Sequence, residues 1–183
     1  YGITKKPIAD QEAKAQMEAY KAVFPKASDF KDVDGFSEEA ASKVIAANKN
    51  PIDGHDSDVI SSAVEAVDAS GEALGYIFNI TTSKGYGGDI QIAVGMDTDY
   101  KITGLSFLTL NETAGLGMEA DTDAFKQQFI GKSVDQFTYT KTGSTQDSEI
   151  DALSGATITT SAVTNAVNAA LRTIQYLTAG GAQ

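Results

Sequence analysis

Between residues 59 and 110 the apolar residues recur at every second position. Period two is the signature of strands with one face on a core. Val64 and Ala66, alternating with Glu65 and Val67, give a weak first strand. Leu74, Tyr76, Phe78 and Ile80 alternate with Gly75, Ile77 and Asn79 in a stronger one. Ile90, Ile92, Val94 and Met96 alternate with Gln91, Ala93 and Gly95, and Ile102 through Leu110 gives a fourth. The connectors are Ala69-Ser70-Gly71-Glu72, Lys84-Gly85-Tyr86-Gly87-Gly88 and Asp97-Thr98-Asp99-Tyr100. Each is short and turn-forming, too short for a crossover, so successive strands must pair antiparallel.

Helical periodicity brackets this meander. Residues 8–24 place Ile8, Ala15, Ala19, Ala22 and Val23 on one side, and Pro25 stops the helix. Ser37-Glu38-Glu39 opens a shorter helix through about Ala47, ended by Asn48-Lys49-Asn50-Pro51. Another helix is expected at roughly 121–130. From Ser161 onward Val163, Ala166, Val167, Ala170, Leu171, Ile174 and Leu177 share one face, and Gly180-Gly181 closes the far end. The expected fold class is therefore α+β, an antiparallel β-meander flanked by N-terminal helices and a long C-terminal helix. A chain of 183 residues suits a single domain, 1–183, with residues 1–50 an N-terminal helical part and 58–183 the core.

Composition narrows the chemistry by exclusion. The sequence has no cysteine, which removes disulfides, iron–sulfur clusters, Cys-rich zinc sites and thiol nucleophiles. Its one histidine, His55, sits in an Asp-rich loop and reads as solvated. A net charge of −11 repels nucleic acid and anionic membrane surfaces. No run of about 20 apolar residues is present to span a bilayer. The Asp97-Thr98-Asp99 turn fails as a calcium loop, because Ile102 and Leu108 stand where Gly and Glu are required. Gly85-Tyr86-Gly87-Gly88 lacks the Lys-Ser/Thr ending of a P-loop. No acid–base pair, nucleophile elbow or metal-ligating set stands out, so no catalytic or metal residue is assigned.

One stretch remains, Asp151-Ala152-Leu153-Ser154-Gly155-Ala156-Thr157-Ile158-Thr159-Thr160-Ser161, which feeds small side chains into the long C-terminal helix. Thr159, Thr160 and Ser161 have N-cap chemistry, and a helix N-terminus offers free N–H groups to a phosphate. On physics alone this reads first as a plain turn before a helix. The frame Asp151, Ser154, Gly155, Ala156, Thr157 resembles the flavinylation motif of the FMN-binding domain family. Members of that family include the G subunit of the Rnf electron-transport complex and the C subunit of the sodium-pumping NADH:quinone oxidoreductase. Leu110-Asn111-Glu112-Thr113-Ala114-Gly115-Leu116-Gly117 resembles the family's second signature, with Ala114 in place of its proline and no preceding histidine. The Lys84–Gly88 turn, Val23-Phe24-Pro25, Phe125, Phe129 and Gly131-Lys132 follow in the family's order, so the resemblance covers nearly the whole chain.

The resemblance implies FMN joined covalently, by a phosphoester, to the Thr157 hydroxyl. Gly155 and Ala156 keep the approach open, N–H groups near Thr159, Thr160 and Ser161 hold the phosphate, and Asp151 is read by the attaching flavin transferase. The isoalloxazine ring is expected against Glu112, Thr113, Gly115, Leu116, Gly117 and Met118, with Leu116 and Met118 as apolar ring contacts. The implied role is an electron-transfer subunit of a membrane-bound, ion-translocating ferredoxin:NAD oxidoreductase. Its partners would be the other subunits of that complex, and its place the extracytoplasmic face of the cell membrane. The chain opens at Tyr1 rather than Met, so a membrane anchor is expected upstream. A stand-alone flavinylated lipoprotein for extracellular electron transfer would carry the same motifs. An acidic, non-redox binding module is the reading outside redox chemistry.

Overall fold

The computed structural model describes residues 5–47 and 58–178, with side chains from residue 13 onward in the first helix. The expected ending at residues 48–51, His55 and Gly180-Gly181 lie outside the described residues, as does the side chain of Ile8. The element order is α1 (Lys5–Val23), β1 (Asp29–Asp32), α2 (Glu38–Ala47), β2 (Val59–Val67), β3 (Ala73–Thr82), β4 (Ile90–Asp97) and β5 (Ile102–Thr109). A 3-10 turn (Gly117–Asp121), α3 (Asp123–Lys126), β6 (Thr138–Thr140), β7 (Glu149–Asp151) and α4 (Thr157–Thr178) complete it. Strands β1 to β5 form one antiparallel sheet in sequence order, and β6 pairs with β7 in parallel. The α+β class and the meander are as expected. The weak first strand is in fact nine residues long, and the helix expected at 121–130 is reduced to the single-turn α3, preceded by the 3-10 turn.

The sheet has two covered faces. Ile77, Phe78, Asn79 and Ile80 are buried in succession, which a one-sided sheet would not allow. One face presents Ala63, Phe78, Ile80, Ile92, Val94 and Met96 to α4 and α2. The other presents Val64, Ala66, Ile77 and Ala93 to Ala19, Tyr20, Val23 and Phe24 of α1. Leu74, expected to share a face with Phe78, packs with the α1 cluster instead. The β2–β3 ladder steps from Ala66↔Gly75 to Val67↔Ala73, and the extra residue in that bulge is Leu74. Helix α1 lies close because Gly75 and Gly95 leave room for it. A Cβ on Gly95 would sit 1.9 Å from Val23 Cγ1, and one on Gly75 would sit 2.6 Å from Phe24 Cζ.

Helix α4 is the centre of the molecule. Residues Ala162 through Ile174 are all buried, so it is enclosed all round rather than lying on the surface. Several of its polar side chains find partners, although both side-chain polar atoms of Asn165 are buried without one. Thr164 and Thr173 donate to carbonyls four residues back, at 2.7 and 2.9 Å. Asn168 bonds both backbone groups of Phe137, donating from Nδ2 to the carbonyl at 2.8 Å and accepting from the N–H at 2.6 Å. Phe137 continues an edge-to-face row with Phe129 and Phe125, at centroid distances of 5.1 and 5.7 Å, which seats α3 beneath α4.

Candidate functional site

The loop into α4 is closed by its own side chains. Ala156 N–H donates to the Leu153 carbonyl at 3.0 Å, making a turn whose third residue, Gly155, has φ +72°. That conformation is strained for a side-chain-bearing residue. Thr160 Oγ accepts from Leu153 N–H at 3.0 Å and donates to the Ala156 carbonyl at 2.9 Å. These bonds start the helix at Thr157, four residues earlier than the expected Ser161. Thr159, Thr160 and Ser161 are thus inside the first turns rather than capping them. Thr160 N–H already donates to the Ala156 carbonyl. The groups without an acceptor inside the helix are the N–H of Thr157, Ile158 and Thr159.

Glu112 joins three distant segments. Its carboxylate accepts from Tyr86 N–H at 2.9 Å, from Gly87 N–H, and from the Thr159 hydroxyl at 2.7 Å. The β3–β4 turn, the 112–117 loop and the first turn of α4 are therefore held on one carboxylate. Gly87 and Gly117 make the approach possible. A Cβ on Gly87 would meet the Asn111 carbonyl oxygen at 2.0 Å, and one on Gly117 would meet Thr159 Oγ at 2.5 Å.

Between these segments opens a cavity of about 510 Å³, lined by Tyr86, Thr113, Leu116, Gly117, Gly155, Ala156, Thr157, Ile158 and Thr159. No charged side chain is among these lining residues. Thr157 is half-buried at its edge, while Tyr86, Ile158 and Leu116 are exposed around it. The size and the apolar wall with a few polar groups are those of a small-molecule site. A wider hollow of about 720 Å³ between α2 and α4, around Lys43 and Tyr176, touches none of the residues singled out in the sequence.

Of the sequence-predicted residues, Thr157, Gly155, Ala156, Thr159, Thr113, Leu116 and Gly117 meet at this cavity, and Glu112 stands behind them. Ser154, Thr160, Gly115 and Met118 belong to the same loops without lining it. Asp151 does not line the cavity. It ends β7, where its carboxylate accepts from the Ser144 N–H at 2.5 Å and the Ser144 hydroxyl at 3.4 Å. Its backbone is gripped by the Gln128 side chain. Nearby, the backbone N–H and then the hydroxyl of Thr145 pull the exposed Glu149 carboxyl below its ordinary pKa. Tyr86 and Ile158 were missed as lining residues. The glycine-flanked turn was a sign for the first, and an isoleucine within a threonine run for the second.

A family profile described as "FMN-binding domain" matches residues 85–172, the stretch that contains every lining residue. The G subunit of the Na(+)-translocating ferredoxin:NAD(+) oxidoreductase complex of Acetobacterium woodii is 31% identical over 177 residues, covering 96% of this chain and 81% of that protein. The G subunit of the ion-translocating oxidoreductase complex of Methanosarcina acetivorans is 31% identical over 172 residues, covering 93% and 81%. Among solved structures, the C subunit of the Na(+)-translocating NADH-quinone reductase of Parabacteroides distasonis superposes with a TM-score of 0.52 at 26% identity. It covers 63% of this chain and 62% of that one. Shewanella oneidensis NqrC gives a TM-score of 0.54 over 81% of this chain and 80% of that one; at 20% identity it speaks for the fold alone.

Proposed function

The chain belongs to the FMN-binding domain family, among the G subunits of ion-translocating oxidoreductase complexes, and from that premise we propose that it carries FMN esterified to Thr157 and passes electrons within such a complex. The observation that carries the reading is the position of Thr157. Its hydroxyl stands on the first turn of α4, at the edge of a cavity bordered by both glycine-bearing signatures.

The residues present fit the group. Three first-turn N–H groups and the positive end of a 22-residue helix suit a phosphate. The Leu116, Ile158 and Tyr86 side chains offer apolar surface to a flat ring. Gly117 and Gly155 keep the backbone within reach of both. FMN, when bound, supplies a ring that accepts and releases electrons, chemistry that no side chain of this protein provides.

The linkage needs an activated donor, because condensing FMN itself with a hydroxyl would expel water into water. A flavin dinucleotide meets the requirement. Thr157 Oγ would form the new bond to the flavin-side phosphorus as the pyrophosphate bond breaks and AMP leaves, with the hydroxyl proton taken by a base of a separate flavin transferase. No electrons are exchanged in this step. The other partners are the remaining subunits of the complex, and the domain works at the extracytoplasmic face of a membrane. No helix among the described residues is long and apolar enough to cross one. We read the chain as one domain, since among the described residues β1 belongs to the same sheet on which α1, α2 and α4 pack.

Co-expression with a flavin transferase should add a single FMN to the intact mass, and Thr157→Val should remove it. Covalent flavin surviving in that variant would overturn the assignment.

A further inference from the structure

We infer that Tyr86 is the aromatic wall of the flavin-ring site, laying its phenol against the ring, and that Glu112 is the positioning residue that keeps it there. The inference rests on the Thr157 reading above and concerns how the ring is held once attached.

A single exposed tyrosine on a turn needs no explanation. This one differs in three ways. First, Tyr86 lines the cavity yet is 71% exposed, so most of its ring surface stands open at the cavity's edge. Second, it is not alone. Tyr86, Ile158 and Leu116 are three of the six exposed large apolar side chains among the described residues, and all three converge on this cavity.

Third, the turn is fixed although the ring is free. The N–H groups of Tyr86 and Gly87 both donate to Glu112, and Gly87 is pressed against the Asn111 carbonyl. The same carboxylate takes the Thr159 hydroxyl, two residues beyond the attachment point. The separation of the Tyr86 backbone from the first turn of α4 is thus set by one side chain. A planar π-system stacks on another in an offset arrangement, and a ring delivered at a defined distance from the anchor can do so.

The test uses the flavinylated protein. The sequence contains no Trp, and among the described residues Tyr86 is the sole aromatic on the cavity wall, so it is the wall residue expected to quench flavin emission by contact. Flavin fluorescence and visible circular dichroism are measured at equal covalent loading. The parent should emit weakly and show a visible dichroic band. Tyr86→Leu should raise emission several-fold and flatten the band. Tyr86→Phe should raise emission, since a benzene ring lacks the electron-rich phenol, but keep the band, since stacking persists. Glu112→Gln should give emission and dichroism between those of the parent and Tyr86→Leu. Parental spectra in Tyr86→Leu would overturn the wall assignment, and parental spectra in Glu112→Gln the positioning one. A parent that takes up no flavin would instead defeat the Thr157 reading and this inference with it. Tyr86 is largely exposed, so its variants should fold; native far-ultraviolet dichroism verifies that for each.

Discussion

Asn168 is the buried residue whose loss should be felt most sharply, and its chemistry allows the cost to be turned on with pH. Its side chain is fully buried and matches both backbone groups of Phe137. Asn168→Leu would strand a buried N–H and a buried carbonyl together. Each unmatched group costs about 1–3 kcal/mol, so the sum is about 2–6 kcal/mol. Against a domain stability of about 5–15 kcal/mol, that is a large fraction. Asn168→Asp behaves differently. A protonated carboxyl can donate to the Phe137 carbonyl and accept from its N–H, reproducing the pair. An ionised one would set a buried charge against a carbonyl oxygen. The folded state therefore raises this carboxyl above its unfolded pKa of about 3.9. A raised acid contributes its full stability below the unfolded pKa and loses it as pH climbs toward the folded one. The gap between the Asp variant and the parent should widen by about 1.4 kcal/mol per pH unit from about pH 5 upward, until the carboxyl ionises in the fold. Urea unfolding of both proteins at each pH gives the difference directly and cancels the titration of the other acids. A pH-independent gap, or an Asn168→Leu cost below about 1 kcal/mol, would refute the pairing as the source.

Three further outcomes are expected. Gly95→Ala places a methyl 1.9 Å from Val23 Cγ1 and should displace the end of α1 at about 1–3 kcal/mol in urea unfolding, while flavin loading, decided on the far side of the sheet, stays parental; loss of loading at unchanged stability would contradict the layering. Asp151→Ala, six residues before the start of α4 and bonded to Ser144, should lower stability by no more than about 1 kcal/mol yet abolish flavinylation if the transferase reads it; full loading with a clear fall in melting temperature would assign it to holding its loop. Glu149 should titrate below its ordinary 4.5, its contribution present above the unfolded pKa and lost as pH falls through the depressed one. Carboxyl NMR shows the midpoint, Thr145→Ala should move it upward, and an ordinary midpoint in the parent would negate the bonds.

Much of this architecture was legible because hydrophobic period and turn length are local signals. Residues 73–109 announce three antiparallel strands by alternation, and α4 by its apolar face. What escaped was short or two-sided. Asp29–Asp32, Thr138–Thr140 and Glu149–Asp151 become strands through their neighbours, with too few residues to show a period. The second face of the sheet was hidden because, beside Val64 and Ile77, it is built largely of alanines and glycines, which carry little apolar signal until α1 lies on them. At the site, the threonine frame and the 112–117 loop were visible as motifs. Their joining through Glu112 spans 25 to 47 positions of sequence and leaves no periodic trace. The helix start moved to Thr157 for a similar reason, since a hydroxyl at Thr160 rather than a capping residue closes the loop.

The enclosure of α4 bears on how a tethered group can travel. From Ala162 through Ile174 the helix is gripped on every side and has little room to tilt or slide, and Thr157 stands just ahead of that stretch. A flavin esterified there would swing like a boom on a fixed mast until its ring met the Tyr86 wall. Its excursion is set by the torsions of the threonine side chain, the phosphate and the ribityl chain, and not by motion of the backbone. On the reading proposed above, the arc open to the ring before it docks would have a radius set by the cofactor and a centre set by the fold.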